Sequence, residues 1–230
     1  MFDNFDFGVI ERSLPYLFFV GMKFTLTLTV LAATGALIFG TILAMIRISA
    51  PKAFALPVTG YVNLMRSLPF LLVIFWFYFL VPYIGQWITG ASAPLKVGAF
   101  YSTLITFILF EGAFFSEIMR AGIQSIPKGQ VAAGYAMGMT YGQVMWNVVL
   151  PQAFRNMLPA LLTQTIVLFQ DTSLVYVLSL TDFLGAASKV AQRDGRLVEM
   201  YIFAAIVYFL ISFSLSLLVK NLHARISVPR

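Results

Sequence analysis

A chain of 230 residues could hold one or two soluble domains, but 60% hydrophobic, 16% aromatic and only 10% charged residues, with a mean hydropathy of +0.89, exclude that class. A hydrocarbon core about 30 Å thick takes roughly 20 apolar residues per helical crossing, so there is room for about five or six crossings and for no large extramembrane domain. The net charge of +6 comes from Lys and Arg scattered among apolar segments, which speaks against a nucleic-acid partner, while zero Cys and a single His223 rule out disulfides and thiolate sites and disfavour a histidine-built metal site.

The N-terminal stretch MFDNFDFGVIERSLPYLFF lacks the basic start and small-residue cleavage site of a signal peptide and reads as a retained, interfacial lead-in. Phe24 to Ile46 is an uncharged run bounded by Lys23 and Arg47, the first crossing. The second has its most apolar part at Pro69 to Ile84; that is short for a span, so the helix is expected to begin near Pro57 and to kink around Arg66 to Pro69. Its aromatic run FWFYF, Phe75 to Phe79, reads as lipid-facing or helix-packing surface. The third crossing starts at Val97 and runs through Glu111, Glu117 and Arg120 to about Ile123, with a polar second half turned to protein or water. A fourth runs from about Met157 to Leu180, interrupted by Gln164, Gln170 and Asp171, and a fifth from Met200 to Val219. The whole chain, 1–230, is one membrane domain of about five helices. No internal repeat pairs two halves into a self-contained carrier, so a partner subunit is expected.

Orientation follows from Lys and Arg in the short loops. With the N-terminus outside, the inner side receives Arg47, Lys52, Arg66, Arg120, Lys128, Arg155, Lys220, Arg225 and Arg230, nine of the fifteen, so the N-terminus is expected outside and the C-terminus inside. The acids Asp3, Asp6, Glu11, Asp182, Asp194 and Glu199 then fall outside.

The long inner loop, 122–155, reads as helix, turn, helix. Pro127 suits a helix start, Gln130 to Met139 holds good helix formers, Thr140 to Gly142 interrupt, and a second apolar stretch ends at Leu150 and Pro151. Gly134, Gly138 and Gly142 recur every four positions and would share one helical face that another backbone can approach. From spacing alone, a docking knob and an amphipathic helix packed on its own bundle remain equal readings.

The loop resembles the signature of ABC importer permeases: Glu-Ala-Ala, three residues, Gly, nine residues, Ile, one residue, Leu-Pro. Ala133 falls on the middle Ala, Gly138 on the Gly, Val148 on the Ile, and Leu150 and Pro151 on the closing pair, while Ala132 stands for the usual Glu and Gly134 for the last Ala. Arg66 and Pro69, SEIMRAGI at Ser116 to Ile123, LPQAFRNMLP at Leu150 to Pro159 and QDTSL at Gln170 to Leu174 extend the likeness to the polar amino-acid branch. Val167 to Arg196 is most similar to membrane subunits of glutamate/aspartate importers.

The resemblance implies an all-α type I importer permease in a bacterial inner membrane, for acidic or other polar amino acids. It implies a second permease subunit, usually a related but distinct chain, two ATPase subunits and a periplasmic amino-acid-binding protein. The inner loop becomes a coupling helix carrying Ala133, Gly134, Gly138, Gly142, Leu150 and Pro151, and this chain binds no cofactor, since ATP belongs to the partner ATPases. The missing Glu at Ala132 removes one expected polar contact.

Charge inside the bilayer costs about 2.5 to 3.5 kcal/mol even on mild scales, so each such residue needs a partner or a pathway. Arg66, Glu111, Arg120, Gln164, Asp171, Thr172 and Ser173 are the candidates for the translocation path, Arg66 foremost as a cation at a Pro-linked kink. Against this, Glu117 and Arg120, three apart on one face, can pair as a topology lock and leave Glu111 in need of another partner. Asp171 can equally tie its helix to a neighbour or cap a break. Thr181 to Glu199 reads as a solvated face or a docking rim for the soluble receptor. An intramembrane enzyme lacks a diagnostic constellation here. A homo-oligomeric channel or small carrier fits the composition but leaves the loop's spacing unexplained.

Overall fold

The computed structural model describes residues 5–226, and every regular element among them is helical. Asp3 and Arg230, both used in the charge count above, lie outside the described residues. Five helical stretches are long and apolar enough to cross a membrane: Phe7–Ser49, Phe70–Thr89, Ala99–Gln124, Tyr141–Leu178 and Leu197–Arg225.

The lead-in runs into the first span without a helical break. Helix α1 (Phe7–Tyr16), with Asp6 as its N-cap accepting from the Gly8 amide, runs through a π-helical turn, Leu17–Met22, into α2 (Lys23–Ser49). Its threonines would be polar liabilities in lipid. Thr27, Thr29, Thr34 and Thr41 instead donate to the carbonyls of Lys23, Thr25, Val30 and Leu37 one turn back, which keeps each hydroxyl satisfied within the helix.

The expected kink is a full break. Helix α3 (Lys52–Ser67) ends before Leu68 and Pro69, both extended, and α4 (Phe70–Thr89) starts afresh. Pro69 drives the residue before it out of the helical region, so an α3–α4 helix cannot pass through this point. In the aromatic run, Trp76 and Phe79 are exposed while Phe77 packs on a core formed by Leu43, Val62, Met65, Val73 and Phe110.

Helix α5 (Ala99–Gln124) is the most buried span and packs along α2. A side chain at Gly40 would meet the Gly112 carbonyl at 2.8 Å and Phe115 Cβ at 2.8 Å, so only glycine permits this approach of the two backbones. The loop that follows carries α6 (Lys128–Ala136) and α7 (Tyr141–Val144). A π-helical turn, Met145–Val149, then joins α7 to α8 (Leu150–Asp171), which passes into a 3-10 turn, Thr172–Leu178.

The fourth crossing therefore begins well before Met157, and Leu150 and Pro151 end nothing. The Leu150 amide reaches back five residues to the Met145 carbonyl, so the ladder changes register at a π-helical turn immediately before Pro151, which has no N–H to place in it. At the opposite end, α9 (Phe183–Asp194) is wedged against the first span, and α10 (Leu197–Ile226) closes the bundle with much of its apolar surface exposed. In lipid that exposure is no defect, because acyl chains are as apolar as leucine.

Candidate functional site

One carboxylate gathers three guanidiniums at the end of the bundle that leads into the long loop. Glu117 on α5 accepts from Arg120, one turn along the same helix, through both of its oxygens. Arg47, from the end of α2, donates to Glu117 Oε2 at 2.8 Å and reaches Thr59 Oγ1 at 3.4 Å and Ser116 Oγ at 3.5 Å. Arg66, from the last turn of α3, stands 3.8 Å from the same Oε2, with its guanidinium carbon 5.8 Å from the centre of the Phe114 ring. The side chain of Arg47 is 7% exposed, that of Arg120 29% and that of Arg66 39%.

The expected Glu117–Arg120 pair is present, but within a larger knot joining α2, α3 and α5. Arg47 had only a helix-closing role in the sequence. Its acid lies 70 residues away, so no local pattern marks the pair.

Glu111 has the partner it needed in Gln164, whose Nε2 donates to Glu111 Oε2 at 2.9 Å. The residue is 0% exposed, and its Oε1 is buried without a hydrogen bond. Glu111 thus lies inside the helix packing, binding α5 to α8, and does not line an open path in this conformation. Its face of α5 is the one covered by neighbouring helices, a consequence of α5 being the most enclosed span.

The polar patch at the end of α8 is split by its own helical turn. Thr172 is buried, and its hydroxyl donates to the Phe169 carbonyl at 2.6 Å. Gln170 and Ser173 open onto a groove lined by Leu184, Tyr201, Ala204 and Tyr208. Asp171, half-buried, sits where α8 tightens into the 3-10 turn and makes no side-chain cap there, so its expected capping role is absent.

The long loop forms the helix, turn, helix that its sequence predicts, with one correction. Gly134 is buried under Val144, but Gly138 lies past the end of α6 with φ at +78°, and Gly142 is exposed on α7. The glycines therefore do not share a helical face. The four-residue recurrence was a coincidence of one packing glycine, one left-handed turn glycine and one exposed glycine.

Thr140 starts α7 with a reciprocal cap, its hydroxyl accepting from the Gln143 amide while Gln143 Oε1 accepts from the Thr140 amide at 2.8 Å. Ala132, Ala133 and Tyr135 are exposed along α6, and Met137 just past its end. Leu150 and Pro151 border a groove with Trp146, Phe154 and Arg155. The base of the loop is pinned to the bundle: Asn156 donates to Ser125 Oγ at 2.8 Å, and Gly122 lies against Met157 and Ala153.

The far end of the chain is less solvated than its charge pattern implied. Asp182 is fully buried at the start of α9, accepting from the amides of Leu184 and Gly185, and Phe183, Ala186, Ala187, Val190 and Ala191 pack inward. Burial pushes its carboxyl up to about 7, against the pull of those amides and of Lys189. Only Lys189, Gln192 and Arg193 of α9, with Gly195 after it, are left for a solvent-facing rim, because α9 uses its other faces as core. Arg193 and Asp194 hold each other, which lowers the Asp194 carboxyl.

Residues 16–228 match the family model of the binding-protein-dependent transport system inner membrane component. The chain is 51% identical over 222 residues to the glutamate/aspartate import permease protein GltK of Escherichia coli, covering 96% of this chain and 98% of that one. It is 31% identical to the probable glutamine ABC transporter permease protein GlnM of Bacillus subtilis, over 98% and 96% of the two chains. Among solved structures, a crystal structure of an amino acid ABC transporter with histidines superposes with a TM-score of 0.84 at 31% identity, covering 96% of this chain and 98% of that chain. The inward-facing MetNI methionine ABC transporter shares the fold, with a TM-score of 0.74 at 19% identity over 93% and 97%. A binding-protein-dependent system of this class works with an ATPase and a binding protein, so the arrangement of helices and loop described above is a transport device rather than a catalyst. The chain belongs to the binding-protein-dependent inner membrane components, as a multi-pass permease subunit of an amino-acid ABC transporter of the inner membrane.

Proposed function

We propose that this chain is the permease subunit of an ATP-driven importer of glutamate and aspartate. The observation that carries this reading is the 51% identity, end to end, with a glutamate/aspartate import permease. In this reading the N-terminus is outside and the C-terminus inside, the permease core pairs this chain with a related, distinct second chain, and two ATPase subunits and a periplasmic receptor complete the machine. The loop 122–155 is the coupling element of a single domain spanning 1–230. Ala133 and Gly134 lie on its first helix, Gly138 in the turn, Gly142 on the second helix, and Leu150 and Pro151 at the entry to α8.

Two features support this assignment of the loop: Thr140 and Gln143 cap the start of its second helix, and Ser125 and Asn156 fasten it where α5 and α8 emerge. A push on it therefore moves both helices together. Along the path, Arg66 and Arg120 supply positive charge for an acidic substrate. Gln164, Asp171, Thr172 and Ser173 belong to the segment that shifts with α8, and Glu111 acts through Gln164 from within the packing.

The test is uptake by proteoliposomes containing the complete complex, ATP inside and receptor outside. Labelled glutamate and aspartate are expected to accumulate and to raise ATPase activity. Accumulation of glutamine in preference to either would transfer the chain to another polar amino acid, and flux without ATP would return it to the channels.

A further inference from the structure

The knot around Glu117 is unbalanced: three guanidiniums against one carboxylate leave two positive charges uncompensated by any acid in the cluster. The three arginines are not held alike. Arg120 is engaged through two nitrogens by Glu117 and through a third by Gln124 Oε1. Arg47 is buried and ties Glu117 to Thr59 and Ser116. Arg66's one ion pair in the cluster is a long 3.8 Å approach to an oxygen that Arg47 already occupies at 2.8 Å, beside a contact with the Phe114 ring, and it is the most exposed of the three. Its helix ends one residue later, at the break formed by Leu68 and Pro69, where the backbone is not tied to a helical ladder.

We infer that Arg66 is an exchangeable arm: it rests against Glu117 and the Phe114 ring and leaves them to take a carboxylate of the amino acid being transported, while Arg47 and Arg120 keep Glu117 in place. This rests on the import reading above and adds a site to it. A guanidinium offers five N–H donors in a planar fork that matches a carboxylate in two parallel hydrogen bonds, and such a pair outcompetes a single long contact. Glu117 is then a competitor of the substrate as well as a structural tie. Its competition keeps the site from binding so tightly that release fails.

Competition gives a signature that a purely structural role lacks. Labelled L-glutamate is titrated onto the detergent-purified complex of permease and ATPase subunits without the soluble receptor, so that the receptor's own affinity does not mask the site. Arg66→Gln is expected to weaken binding by about tenfold or more, the loss of a charge-assisted pair. Arg66→Lys keeps the charge and is expected to lose less. Glu117→Gln is expected to tighten binding, because the competitor's charge is gone while an acceptor remains for Arg47. Should Glu117→Gln fail to assemble, Glu117→Asp, which draws the carboxylate back, is read with the same sign.

Shifts of Arg66→Gln and Glu117→Gln in the same direction, or no shift in either, overturn the inference. So does absence of glutamate binding to a wild-type complex that still imports glutamate with its receptor. That last outcome leaves the import reading standing, whereas a wild-type complex that fails to import glutamate or aspartate overturns the reading itself.

Discussion

Glu111 and Glu117 sit less than two turns apart on one helix and solve the same problem in opposite ways. Glu117 stays partly accessible, 21% exposed at its side chain, and is surrounded by cationic donors from α2, α3 and its own helix. Glu111 is sealed and has a single neutral donor, the Gln164 amide, with one oxygen left without a partner. The first arrangement can change partners because it has more than it needs. The second cannot, since a buried acid with one donor loses everything when that donor moves. Asp182, at the opposite end of the bundle, is a third case: sealed like Glu111, but held by two backbone amides at the start of α9. How readily each carboxylate can exchange its partners follows from how many charged donors surround it.

The largest expected effect belongs to Asp182, because its carboxyl is pushed up from 3.8 to about 7 by burial. An acid whose folded value lies above its unfolded value favours the folded state while protonated. Stability is therefore full below about pH 4 and declines as pH rises toward 7, by at most about 1.4 kcal/mol per pH unit from this group. The melting temperature of the purified complex is expected to fall across that window, and Asp182→Asn, which keeps an acceptor for the helix start, is expected to flatten the difference. A rise in stability with pH that depends on Asp182 would make it an ionised cap instead, and the contrast between sealed and surrounded acids would lose one member. Next comes Glu117→Ala, which leaves the buried Arg47 without its acid and is expected to cost about 3 kcal/mol, as measured by thermal unfolding. A loss below about 1 kcal/mol would mean that Thr59, Ser116 and lipid headgroups already satisfy Arg47.

What could be read from the sequence divides along the same line. Long uncharged runs fix the number and order of crossings, because a helix must satisfy its own backbone in lipid and hydropathy records that directly. The Glu117–Arg120 pair was legible because it is local. Arg47 was not, since nothing near Phe39 or Met45 signals an acid on another helix, and the burial of Asp182 was hidden by the charged residues on the exposed face of the same short helix. The glycines of the long loop misled because a period of four reads as one helical face only if the helix continues. Gly138, in a left-handed turn, is the reason that it stops. Partner residues distant in sequence, and the conformation of single glycines, are set by tertiary packing.

The smallest effect is also the most discriminating for Glu111. Gln164→Leu removes its one donor and leaves both carboxylate oxygens buried, an expected cost of about 2 kcal/mol in unfolding of the detergent-solubilised complex. Replacing both partners together, Glu111→Met with Gln164→Leu, removes the polar groups along with the need to satisfy them. The double variant is expected to regain most of that loss, giving a strongly non-additive cycle. Its transport activity then separates two roles that the geometry joins. If uptake survives with the apolar pair, Glu111 and Gln164 are packing between α5 and α8, and the acid that matters for movement is Glu117 alone. If stability returns and uptake does not, the Glu111–Gln164 hydrogen bond is remade during the cycle as α8 shifts against α5, and a sealed acid with one donor is as much a moving part as one with three.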